Sequence, residues 1–172
     1  MTGPTPGAAI EAVREILQRL LSCVTTDVLV ADPFGVGKTF TASAYIRRTT
    51  GDNLQLTWIH DVAAVSSTER SRRERWHTVT TSYTYALEDS DGREIVAYHW
   101  HPQGRSHVRT PHLHLGAALG TLRNEVTKAH LYTGMITPVA ILSLVIEHFG
   151  VAPRRPDWAT IFEQTERELT PP

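Results

Sequence analysis

From Ala8 to Leu21 the apolar residues Ile10, Val13, Ile16, Leu17, Leu20 and Leu21 recur at helical spacing, while Glu11, Arg14, Glu15, Gln18 and Arg19 take the other positions. This predicts an amphipathic helix lying on a core. Further on the period falls to two. TTDVLVAD (25–32), TFTASAYI (39–46), LQLTWIHDVAAV (54–65), WHTVTTSYTYAL (76–87) and REIVAYHWH (93–101) each read as strands, and HLHLG (112–116) resumes the alternation. Leu54, Leu56, Trp58 and His60 are expected on one face of their strand, and Val79, Tyr83, Tyr85 and Leu87 on one face of theirs. KAHLYTG (128–134) is expected to add a short strand, and residues 117–127 match neither period. The helical period returns in TPVAILSLVIEHFG (137–150), with Thr137 as N-cap, Pro138 in the first turn and Gly150 as stop. A last helix is expected in PDWATIFEQTEREL, docking through Trp158, Ile161, Phe162 and Leu169. The pattern predicts an α+β fold in a single domain spanning 1–172, with residues 1–7 a flexible lead-in. Its twisted antiparallel sheet of about five or six strands is covered by one N-terminal and two C-terminal helices.

Composition narrows the classes. The 172 residues are 41% hydrophobic and 20% charged, with net charge -1. No global field draws the chain to nucleic acid or membrane, so anion binding must be local. One cysteine, Cys23, rules out an internal disulfide. The apolar run at 139–146 is too short to span a bilayer, and the first residues lack a secretory pattern. A cytoplasmic protein without membrane contact is expected.

Three stretches carry candidate chemistry. Gly35-Val36-Gly37-Lys38-Thr39 follows a strand, as a phosphate-binding loop would, but Asp32 stands where that motif needs glycine, and the alternation after it suits a hairpin. Arg70, Arg72 and Arg73, in SSTERSRRER, form a candidate substrate-binding cluster for phosphates, set against the plainer reading of a solvated loop. The densest stretch, AYHWHPQGRSHVRTPHLHLG (97–116), holds five of the nine histidines. His99 and His101 share one strand face, as do His112 and His114, and antiparallel pairing would bring four imidazoles together beside Arg105, His107 and Arg109. Known H-x-H sites fail at named positions: Gly116 stands where a histidine-triad enzyme has its third histidine, and the next acidic residue available to a cupin-type site is Glu125. His60 and His148, on otherwise apolar faces, are expected to be structural.

TTSYTYALEDSDGREIVAYHWHP…RTPHLHLG, followed by a C-terminal helix, resembles the TumE-type toxins of bacterial toxin–antitoxin systems over roughly residues 76–150. The family's histidine block falls on Pro111, His112 and His114, although HWHPQG replaces its usual Asn-Ala-Pro step. The resemblance implies an RNA-directed toxin neutralised by a nucleotidyltransferase-type antitoxin. A metal-independent ribonuclease is consistent with it: His112 would take the 2′-hydroxyl proton, His99 would protonate the leaving oxygen, and Arg105 or Arg109 would stabilise the phosphorane. Two alternatives remain open. One is a metal-dependent small-molecule enzyme with His99, His101, His112 and His114 on zinc or another first-row transition metal. The other is a non-catalytic interaction module.

Overall fold

The computed structural model describes residues 1–34, 37–67, 75–104, 107–120 and 129–169. Among the described residues the fold is α+β, three helices on an antiparallel sheet. A meander of seven strands, β2 (Val30–Phe34), β3 (Gly37–Arg47), β4 (Asn53–Ser67), β5 (Arg75–Glu88), β6 (Glu94–Trp100), β7 (His112–Leu115) and β8 (Leu131–Tyr132), pairs neighbour to neighbour in chain order. β1 (Thr2–Gly3), within the expected lead-in, pairs with Trp76 and His77 of β5. The count exceeds the expected five or six: β8 falls within the short strand expected at 128–134, and β1, in the lead-in, is two residues long and too short to show a period. β2 begins at Val30, later than the expected Thr25. The β2–β3 register closes from Val30↔Thr41 to Phe34↔Gly37, a hairpin in place of a phosphate loop.

Helix α1 (Pro6–Leu21) is capped by Thr5, whose hydroxyl accepts from the Ala8 amide at 3.1 Å. It buries Val13, Ile16, Leu17, Leu20 and Leu21. α2 (Pro138–Glu147) is capped as expected, with Thr137 accepting from the Ala140 amide, and α3 (Trp158–Leu169) buries Ile161, Phe162 and Thr165. Arg19 of α1 pairs with Glu168 of α3. The core lies between these helices and one sheet face, which carries Phe40, Ile46, Leu56, Trp58, Tyr83, Tyr85 and Leu87.

Val79 departs from its expected place. The β4–β5 register jumps from Asp61↔Ser82 to Val62↔Thr80, leaving Thr81 as an extra residue. A bulge of this kind reverses which residues point inward. Val79 therefore leaves the face of Tyr83 and is 38% exposed, while Thr80 turns inward to His60. His60 is structural as expected: its Nδ1 meets the Tyr85 hydroxyl at 2.5 Å and its Nε2 the Thr80 hydroxyl at 3.2 Å. His148, expected to be structural, is exposed at the end of α2.

Just past β7, the Gly116 amide donates to the Ile95 carbonyl at 2.9 Å. A Cβ on Gly116 would lie 1.8 Å from the Glu94 carbonyl oxygen. Gly116→Ala must therefore push β6 and β7 apart at this end. We expect a loss of at least about 1–3 kcal/mol, the usual cost of overpacking, read as a fall in melting temperature. An unchanged melting curve would contradict the close approach.

Candidate metal centre

Register assembles the histidines. β6 and β7 pair with His99 opposite His112 and Ala97 opposite His114. β5 places Thr84 opposite His99. Because strand side chains alternate, these residues lie on the face turned away from Tyr83, Tyr85 and Tyr98. The ring centroids of His99, His112 and His114 are 5.1 to 5.7 Å apart. One nitrogen from each lies within 4.8 Å of the others, so a single ion could meet all three.

The hydrogen bonds suit ligands. His112 is 4% exposed, and its Nδ1 lies 2.8 Å from the Thr110 carbonyl oxygen. A carbonyl only accepts, so Nδ1 carries the proton and Nε2 keeps a free lone pair. Metal-bound histidines are commonly oriented by such a bond. Burial, reinforced by the surrounding imidazoles, lowers the pKa of His99 to about 4. Burial also lowers that of His114, helped by His130 and His112. Both rings are in the neutral form that binds metal. Three imidazoles with converging ring nitrogens are a donor set that fits a first-row divalent ion.

His101 stands beside the triad, its ring 5.8 Å from His99, and its Nε2 is tied to the Thr84 hydroxyl at 2.9 Å. Burial lowers its pKa, and Asp61 opposes the shift. Arg109 is exposed on the 101–111 loop and donates to the Pro102 carbonyl at 3.4 Å. Arg105 and the cluster Arg70, Arg72 and Arg73 lie outside the described residues. The sequence reading passed over two neighbours. His130, just before β8, has its ring 4.5 Å from His114 and 5.0 Å from His112. Asp61 accepts from Ser82, and its Oδ1 is buried without a partner among the described residues. The only sequence signal for His130 is a histidine in a short alternating run; strand order alone makes it a neighbour.

Fold and site together define an α+β protein built on an antiparallel meander with a cluster of imidazoles on its outer face. Comparison of the chain with protein families, curated proteins and solved structures finds no match. Among the described residues no helix is long and apolar enough to cross a membrane.

Proposed function

We propose that this protein is a metal-dependent enzyme whose centre is His99, His112 and His114. The observation that carries the reading is the convergence of three ring nitrogens within 4.8 Å, one of them on a ring whose tautomer Thr110 fixes. A bound ion would supply Lewis acidity, polarising a substrate oxygen and lowering the pKa of water toward neutrality. The chain supplies orientation. Thr110 holds His112, the β6–β7 register holds His99 against it, and Thr84 holds His101 at the rim.

The metal-independent ribonuclease asks His99 to act as a protonated acid. With a pKa of about 4, only about one ring in a thousand carries a proton at pH 7. The same value favours a ligand. The resemblance to TumE-type toxins proposes RNA as substrate and a nucleotidyltransferase-type antitoxin as partner, which makes RNA the first substrate to try beside small phosphodiesters.

Elemental analysis of the purified protein tests the reading. About one first-row ion per chain is expected, and RNA or phosphodiester cleavage should disappear on chelation and return with metal. Failure to take up stoichiometric metal, or cleavage undiminished in chelator, would overturn it.

A further inference from the structure

Beside the metal centre lies an open depression of about 590 Å³ whose wall includes His107, Arg109, Thr110, Tyr132 and Thr133. Three contacts join it to the centre. Thr110, whose carbonyl oxygen fixes the tautomer of His112, is part of the wall. His107 has its ring 6.0 Å from that of His130, which in turn is 5.0 Å from that of His112. Tyr132 is the register partner of His112 in the β7–β8 pair. Directly opposite residues share a sheet face, with Cβ atoms about 4.5–5.5 Å apart, so Tyr132 stands on the face that carries the triad.

The chemistry of the wall suits an anion attached to a planar ring. Among the described residues no acidic side chain lines the depression. Arg109 is exposed and takes part in no ion pair among the described residues, whereas six other arginines each pair with a carboxylate. Its guanidinium donates there only to the Pro102 carbonyl, at 3.4 Å, which leaves further donors for an incoming phosphate. Tyr132, in the same depression, is 74% exposed. An aromatic face close to a cationic side chain is how proteins hold an unpaired base and its phosphate. Thr133 adds a hydroxyl that is buried without a partner among the described residues, a group that a ribose hydroxyl can satisfy.

Resting on the metal-centre reading above, we infer that this depression is the substrate subsite of the centre and that it takes a nucleotide unit, with the base stacked on Tyr132 and the phosphate held by Arg109 on the side of the ion. Its volume falls within the range of about 300–1,000 Å³ usual for small-molecule sites. The division of labour follows from position. His99, His112 and His114 hold the ion, while Tyr132 and Arg109 choose the class of substrate. A sugar phosphate without a base loses the stacking face, and a nucleoside without a phosphate loses the guanidinium. Stacking needs only a π face, so the subsite does not distinguish one base from another.

The test is NMR titration of Zn(II)-loaded protein with AMP, adenosine and ribose 5-phosphate. AMP should bind more tightly than either fragment. Tyr132→Ala should weaken AMP at least about 5-fold and leave ribose 5-phosphate unchanged, while Tyr132→Phe keeps the wild-type affinity. Arg109→Gln should weaken AMP and ribose 5-phosphate about 10-fold and leave adenosine unchanged. Both side chains are exposed, so the variants are expected to fold, and calorimetric titration with Zn(II) should give each the wild-type metal affinity. AMP bound equally by wild type, Tyr132→Ala and Arg109→Gln, or not bound by Zn(II)-loaded wild type, would overturn the subsite while leaving the three-histidine centre intact. A Zn(II) affinity that falls in either variant would assign its effect to the centre and likewise overturn the subsite. Failure of wild type to bind Zn(II) would overturn the centre on which the subsite rests.

Discussion

Replacing His112 with asparagine is expected to lower metal affinity at least about 100-fold while the protein stays folded. In the native protein the two nitrogens of His112 have different tasks: Nδ1 donates to the Thr110 carbonyl and Nε2 is free to bind. The asparagine amide can replace the Nδ1 donor and has no group at the Nε2 position. His112→Ala is a harsher change, because at 4% exposure it leaves a cavity and an unpaired carbonyl, together worth about 1–3 kcal/mol. Calorimetric titration of both variants beside their melting curves separates ligand loss from unfolding. Native affinity in a folded His112→Asn would place the ion elsewhere.

The second large effect is acid destabilisation through His60. Its ring is buried, bonded to Tyr85 and Thr80, and burial lowers its pKa from 6.5 to about 4. Below about pH 6.5 the unfolded chain takes up a proton at this residue that the folded chain refuses. Stability therefore falls as pH drops from about 6.5 to about 4 and levels off below. A gap of about 2.5 units corresponds to about 3 kcal/mol, with a slope approaching about 1.4 kcal/mol per pH unit inside the window. Urea unfolding from pH 7 to pH 4 measures it. His60→Gln should be less stable at pH 7 and lose less on acidification. A variant with the wild-type slope would assign the acid sensitivity to other groups. His99, with its pKa also near 4, adds to the slope of both proteins alike, so the difference between wild type and His60→Gln isolates His60.

Where the period was long, the fold was legible. The α1 stripe from Val13 to Leu21 and the Thr137–Pro138 start of α2 appear as expected, because burial and capping act through residues adjacent in sequence. β1 escaped, since two residues cannot alternate. Val79 escaped because a bulge near Asp61 and Ser82 changes parity without leaving a mark in composition. In the site, His99, His101, His112 and His114 could be named from H-x-H spacing, which sets the face that each pair shares within its strand.

What the chain by itself determined is thus local: helices and strands, and the paired histidines. Convergence was decided by the tertiary structure. A shift of one residue between β6 and β7 would send His112 and His114 to the other face. The observed register, His99 opposite His112, keeps both pairs on one face. The same packing brings His130 to the cluster, sets His101 at its rim, and buries His99 enough to keep its ring neutral. These properties depend on contacts between segments far apart in sequence.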